Sequence, residues 1–379
     1  MTPEQITDIE RSIPFLERYG LDITNHFYQS LFEKHPALKS VFNMSHQRTG
    51  NQPRALASSI LAYAKNIRNP DKLLAHIRLI AEKHVSVGVK PEQYSVVGSQ
   101  LLESICTILN LKPADSIVRA WQVAYQELAE IFIEVEAKIR RRSDSEQDFT
   151  SFKILKIVEE SPLVRSIYLS PANGKVPQFI PGQYISLKLS ASDGNMGLIR
   201  QYSLSHPWHP EFLRISVKKE VKGKHRGQGS HAVHSWQEGD MVECSQPCGS
   251  FCLSQDQAHK VFLSAGIGIT PLLSMALSLE TDDYTLIHCD RDQSSVPLLF
   301  DSQLSGSVEL FLEDATDHGE AHTGYLNLDT VWNKKFDEAD FYICGPVPFI
   351  KAQVLKLREK GIGEQQIKFE MFASLDESF

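Results

Sequence analysis

The sequence predicts a multidomain protein: an all-α domain, then an antiparallel β-barrel, then an α/β domain built on a parallel sheet. Three observations carry this. The chain has 379 residues, too many for one ordinary core at about 150 residues per domain. Its first ~140 residues set apolar side chains at helical spacing and hold few strand signals. Beyond Phe152, β-rich runs punctuated by Gly and Pro take over, and from near His259 apolar strands alternate with helix-like segments. The expected boundaries are 1–142 for the helical domain, 143–150 for a linker, 151–257 for the barrel and 258–379 for the α/β domain.

The helical part opens on Thr2-Pro3-Glu4-Gln5, with Thr as N-cap, Pro at the first helical position and Gln at the third. Ile6, Ile9, Ile13 and Leu16 continue at helical spacing. Pro36, Pro53, Pro70, Pro91 and Pro113 punctuate the later helical segments, several where a first turn would begin. Helices of this size with short connections pack as a bundle or in a globin-like way. The run Arg140 to Asp148 is polar, lacks an apolar period, and reads as linker. The barrel is expected to have about six strands, including Lys153–Val158, Val164–Leu169, Tyr184–Leu189, Leu213–Val217 and Met241–Cys244. In the last domain Lys260–Ser264, Tyr284–His288, Val308–Leu312 and Phe341–Cys344 read as strands, with helices at Pro271–Leu279 and Val347–Lys360.

Composition narrows the function. The formal net charge is −8, which argues against nucleic acid or an anionic membrane as the main partner. The N-terminus is polar and acidic rather than basic then apolar, so a cytoplasmic location without stable membrane association is expected. The most apolar stretch, Phe262 to Leu279, contains Gly266, Gly268 and Pro271 and reads as strand, turn and helix. Cys244, Cys248 and Cys252 are evenly spaced, but the spacing is not CxxC and reduced thiols are the simpler reading. His231 and His234 lack further ligands, so they too read as non-metal residues.

Candidate site residues emerge from local pattern. Leu73, Ile77, Ile80 and His84 share one helix face. A lone histidine so placed is usually a satisfied core or boundary residue, although neutral imidazole also suits iron. Tyr94 begins another apolar face and Glu136 flanks the face made by Trp121, Leu128 and Phe132. Each has an ordinary explanation in packing or solvation. Joined to the second ring nitrogen of His84, they would make the imidazole a stronger donor. Tyr28 and Gln52 read separately as core and cap, and together as hydrogen-bond donors above a metal. Pro181-Gly182-Gln183-Tyr184 and Arg200-Gln201-Tyr202-Ser203 each lead into a strand, and Gly227-Gln228-Gly229-Ser230 follows Val217-Lys218. Ser264-Ala265-Gly266-Ile267-Gly268-Ile269-Thr270-Pro271 joins a strand to a helix without being a GxGxxG fingerprint. Cys344-Gly345-Pro346 closes another strand.

The helical part resembles the globin half of flavohaemoglobins. The resemblance rests on His26-Phe27-Tyr28, Val41-Phe42-Asn43-Met44-Ser45, Lys83-His84 and Lys90-Pro91-Glu92-Gln93-Tyr94. It implies a distal pair Tyr28 and Gln52, haem-packing Phe42 and Leu56, the proximal iron ligand His84, and its partners Tyr94 and Glu136. Pro53 stands where the family has a basic residue. The later motifs resemble the ferredoxin-reductase-like half of the same family. There the resemblance assigns FAD to Tyr184, Arg200, Gln201, Tyr202, Ser203, Lys218, Gly227 and Ser230. It assigns NADH or NADPH to Gly266, Gly268, Thr270, Pro271, Cys344, Gly345 and Pro346, with Phe372 covering the flavin. Ala373-Ser374 departs from the family's Gly-Pro, and the stretch between Asp290 and Gly345 is shorter than in typical members. The implied activity is a nitric oxide dioxygenase, turning NO and O2 into nitrate with electrons passed from NAD(P)H through FAD to haem b. No separate reductase is implied. Two alternatives share the parts: a reductase of hydroperoxide, nitrite or ferric iron, and an O2 or NO sensor that keeps itself reduced.

Overall fold

The computed structural model describes residues 1–40, 50–142, 147–189, 198–221, 228–296, 304–314 and 321–372. Two compact units divide the chain, one spanning Met1–Asp148 and the other holding most of the chain from Phe149 onward.

The first unit contains helices α1 (Pro3–Lys34), α2 (Asn51–Lys65), α3 (Leu74–Val87), α4 (Pro91–Leu109) and α5 (Ser116–Arg140). The capping box at the start of α1 forms in full. Thr2 Oγ1 accepts from the Gln5 amide at 3.3 Å, and Gln5 Oε1 accepts from the Thr2 amide at 2.8 Å. Pro53 falls in the first turn of α2, where no helical N–H partner is lost. Gly88 (φ 78°) and Asn110 (φ 53°) end α3 and α4 in the left-handed conformation that releases a helix. On α1, Ile9, Leu16, Ile23, Phe27 and Leu31 point into one core. Each such side chain contributes about 1.5–3 kcal/mol of hydrophobic stabilisation. Trp121 on α5 donates its indole N–H to Ser12 Oγ at 3.0 Å inside that core, which fixes α5 against α1. Arg140 is helical, the last residue of α5, although its polar surroundings read as linker.

The second unit begins with β1 (Phe149–Ser161), β2 (Val164–Pro171), β3 (Tyr184–Leu189), β4 (Leu198–Ser203), β5 (Leu213–Lys218) and β6 (Met241–Ser245), with helix α6 (Gln228–Val233) between the last two. The strands order as β4-β3-β6-β1-β2-β5, with antiparallel pairs throughout the registers seen. The two edges meet: Leu204, just past β4, bridges Ile215 of β5, and the Ser205 amide donates to the Arg214 carbonyl at 2.8 Å. The sheet therefore closes as the barrel expected from sequence.

A parallel sheet comes next, of β7 (Lys260–Ala265), β8 (Tyr284–Asp290), β9 (Ser307–Leu312), β10 (His322–Thr323), β11 (Asp340–Cys344) and β12 (Ile367–Glu370). Helices α7 (Ile269–Leu277), α8 (Leu328–Val331) and α9 (Val347–Glu359) accompany it. The strand order is β10-β9-β8-β7-β11-β12. Its central strands are buried along nearly their whole length, as a sheet covered on both faces requires. The chain builds outward from β7 to β10, then returns to lay β11 on the other side of β7. That reversal makes the carboxyl ends of β7 and β11 a topological switch point, where open α/β sheets bind ligands.

Candidate functional site

Three residues far apart in sequence converge in the helical unit. His84 on α3 places Nδ1 2.8 Å from Glu136 Oε1 and 2.9 Å from the Tyr94 hydroxyl. The Tyr94 hydroxyl donates to the same Glu136 oxygen. A carboxylate only accepts, so Nδ1 carries the proton and Nε2 keeps its lone pair. Nε2 makes no hydrogen bond with the described residues, and the ring remains 32% exposed while Glu136 behind it is 0% exposed. Phe132 lies against the imidazole with ring centres 5.6 Å apart. Burial first, and then Glu136, holds the Tyr94 phenol far above its usual pKa, so it stays a proton donor. This donor set fits a haem iron: one imidazole presents a bare nitrogen and is anchored from behind.

Two groups that local patterning did not reveal support the set. Tyr125 donates its hydroxyl to the Tyr94 carbonyl at 2.7 Å. Gly98 gives that ring its room, since a Cβ there would sit 2.6 Å from Tyr125 Cδ1. Arg140 reaches Glu136 Oε2 at 3.6 Å and Asp148 at 3.5 Å. It was hidden in a run of three arginines that reads simply as polar.

Tyr28 lies in the α1 core, its ring edge-on to Phe27 at 4.9 Å and stacked near Phe32 at 5.9 Å. Burial lifts its phenol well above the usual range, so the hydroxyl keeps its proton. Leu56 packs against the same core from α2, and Gln52 is half-buried in the first turn of α2. Phe42 lies outside the described residues.

In the barrel, Arg200 and Tyr202 meet at Gly229. A Cβ on Gly229 would lie 2.9 Å from Arg200 Cγ and 3.3 Å from the Tyr202 hydroxyl. Burial pulls Arg200 below and pushes Tyr202 above its usual pKa. A guanidinium, a phenol and a bare backbone at the start of α6 thus share a water-poor corner, which suits a flavin with its phosphates. Gln201 and Ser203 lie on the same half-buried strand β4. Gly227 lies outside the described residues, and Gly229 is the glycine set against Arg200. Ser230 Oγ accepts from the Glu220 amide at 3.1 Å. The Pro181-Gly182 turn is sterically required: Gly182 has φ 100°, and a Cβ there would strike the Phe251 carbonyl. It delivers Tyr184 into β3, where amide and carbonyl pair with Cys248 at 2.9 Å each.

At the switch point the two glycine turns touch. A Cβ on Gly268 would sit 2.6 Å from the Cys344 carbonyl carbon and 2.7 Å from the Gly345 amide nitrogen. One on Gly345 would lie 3.0 Å from Ala265 Cβ. Thr270 is buried and donates to the Ile267 carbonyl at 2.9 Å, and Pro271 falls in the first turn of α7. Lys218 reaches this turn, with Nζ 4.0 Å from where a Cβ on Gly266 would sit and 3.9 Å from Asp290 Oδ1. Pro346 precedes α9. The pairing of Cys344 with Glu370 sets Phe372 just beyond the same sheet end, where it is 49% exposed rather than core. Ala373 and Ser374 lie outside the described residues.

The metal readings of the remaining histidines and cysteines find no support. His231 Nε2 and His234 Nε2 each face a backbone carbonyl at 2.9 Å, of Glu220 and Val217. Cys244 and Cys248 are buried thiols outside any disulfide among the described residues. No group of His, Cys, Asp or Glu among the described residues could hold a metal ion by itself.

Comparisons with known proteins agree with this fold. Residues 25–132 match the globin family and residues 156–252 the oxidoreductase FAD-binding domain family. A flavohemoprotein of Chromobacterium violaceum is 36% identical over 97% of this chain and 96% of its own length. One from Oceanobacillus iheyensis is 35% identical over 97% and 95%. The chain belongs to the flavohaemoprotein family. A flavohemoglobin structure from Malassezia yamatoensis, with bound FAD and heme, superposes with TM-score 0.88 at 26% identity, covering 98% of this chain and 99% of that one. The FAD/NAD-binding domain of a nitric oxide dioxygenase from Vibrio cholerae covers 59% of this chain and 99% of its own, with TM-score 0.56 at 28% identity. A globin domain and an FAD- and NAD-binding reductase therefore share one polypeptide, an oxidoreductase architecture. Among the described residues no helix is long and apolar enough to cross a membrane.

Proposed function

We propose that this flavohaemoprotein is an NAD(P)H-dependent nitric oxide dioxygenase. Two NO, two O2 and one NAD(P)H give two nitrates, one NAD(P)+ and one proton. The observation that carries the reading is the His84–Glu136–Tyr94 set with its bare Nε2, in a chain that holds its own reductase. When bound, haem offers an iron for O2, and FAD turns a nicotinamide hydride into single electrons.

The chain's residues supply the rest. His84 would hold the iron through Nε2, and Glu136 raises the donor strength of the ring by accepting a hydrogen bond from Nδ1–H. Tyr94 steadies the carboxylate that does so. Tyr28 keeps its hydroxyl proton and can donate it toward a bound diatomic, with Gln52 as a second donor. Arg200 would pair with the FAD pyrophosphate, and Tyr184, Tyr202 and Ser203 would line the flavin. The turns Gly266–Gly268 and Cys344–Pro346 leave backbone exposed where the nicotinamide nucleotide would lie, and Phe372 would have to move aside for its ring. No partner reductase is needed.

The test is consumption of NO by purified protein with NADH or NADPH under air. The expected result is fast, O2-dependent loss of NO with nitrate formed mole for mole. Slow turnover with tight retention of the diatomic would point instead to a sensor. NADH oxidation unaffected by NO but stimulated by hydroperoxide, nitrite or ferric iron would point to another acceptor.

A further inference from the structure

Behind the His84 imidazole, the Glu136 carboxylate divides its two oxygens. Oε1 serves Nδ1 of His84 and the Tyr94 hydroxyl. Oε2 is fully buried and has no hydrogen-bond partner among the described residues. The cation that faces it is Arg140, one helical turn on, with Nη1 at 3.6 Å. A buried carboxylate oxygen without a hydrogen bond is costly unless a counter-charge is held near it. Arg140 is itself held. Nη2 donates to the Val89 carbonyl in the α3–α4 corner, and Nε lies 3.5 Å from Asp148 Oδ1. The other Asp148 oxygen is taken by Lys90 Nζ at 2.5 Å.

We infer that Arg140 is a positioning residue for the iron-binding histidine: by attracting Oε2 it stops the Glu136 carboxylate from turning and keeps Oε1 on His84. Val89 and Asp148 aim the guanidinium, so the last residue of α5 and the start of the following segment both bear on His84. Lysine supplies the same charge at similar reach, whereas glutamine is a shorter polar side chain with no charge. The inference rests on His84 being the iron ligand, as proposed above.

The experiment is resonance Raman of the iron–histidine stretch in the reduced, ligand-free full-length protein, together with the rate of haem transfer to excess apomyoglobin. In Arg140→Ala the band is expected to fall in frequency and broaden, as the Nδ1 bond becomes heterogeneous, and haem loss to quicken roughly tenfold. Arg140→Gln, polar but uncharged, should match Arg140→Ala, and Arg140→Lys should return toward wild type. Arg141→Ala, which removes an exposed neighbouring charge, should change neither readout. A wild-type band and haem-loss rate in both Arg140→Ala and Arg140→Gln would overturn the inference. So would equal shifts in Arg140→Lys and Arg140→Gln, because that pattern reports packing rather than charge. A wild-type protein with no iron–histidine band would overturn the ligand assignment beneath it, and is distinguishable because no substitution is involved.

Discussion

Replacing Gly268 with alanine tests whether the touching turns at the sheet's switch point seat the nicotinamide nucleotide. Gly268 has φ −61° and ψ −10°, a conformation alanine adopts freely, so any effect comes from space alone. The added Cβ would lie 2.6 Å from the Cys344 carbonyl carbon and 2.7 Å from the Gly345 nitrogen. Both are backbone atoms at the end of a buried strand and cannot swing aside as a side chain would. Overpacking of this kind costs about 1–3 kcal/mol. The structure can relieve it by parting the β7 and β11 turns, which deforms the proposed seat. If that strain falls on the bound state, NADH affinity drops roughly 5- to 150-fold. The assay is stopped-flow bleaching of the flavin band against NADH concentration, with FAD content and the haem spectrum as internal controls. Gly361→Ala separates crowding from backbone strain. Gly361 has φ 84° and no atom of the described residues within 4 Å of the Cβ position, so alanine there should lower stability by ~1–2 kcal/mol and spare NADH binding. Wild-type dependence on NADH in Gly268→Ala, with FAD retained, would refute the reasoning.

Tyr28→Phe should speed O2 dissociation from the reduced protein roughly 2- to 12-fold, the worth of one neutral hydrogen bond, and leave flavin reduction alone. An unchanged off-rate in flash photolysis would remove Tyr28 from the distal role. Arg200→Ala should weaken FAD binding roughly 12- to 150-fold, the range for a hydrogen bond to a charged group, while the haem spectrum is kept. Flavin release measured after gel filtration decides it, and full flavin occupancy would count against the pyrophosphate assignment. His206 and His234 both have lowered pKa values, chiefly through burial. The folded state thus binds their protons less readily than the unfolded state, whose histidines titrate near 6.5. Their contribution is therefore present above about pH 6.5 and is lost as pH falls below it. Thermal melts should show this acid-side loss shrinking in His234→Gln, and an unaltered pH slope would trace the loss elsewhere.

The sequence made legible whatever one element encodes by itself. Thr2 and Gln5 close a capping box because both partners lie within one turn, and Pro181-Gly182 marks a turn because only glycine tolerates φ 100° beside the Phe251 carbonyl. Short strands such as β10 and β12 escape sequence reading because two to four residues cannot display a period of two. The site residues show the same division more sharply. His84, Tyr94 and Glu136 each sit on a readable helix face, yet their union spans 52 residues and depends on α3 and α5 packing side by side. Periodicity can say which face a side chain shares, but not which oxygen meets which nitrogen. That second fact carries the chemistry here: only because an acceptor-only carboxylate faces Nδ1 does Nε2 remain open to a metal. Arg140 makes the point from the other side. Its local surroundings, three arginines and a polar run, are those of a solvated tail, and only the buried second oxygen of Glu136 gives its charge a purpose.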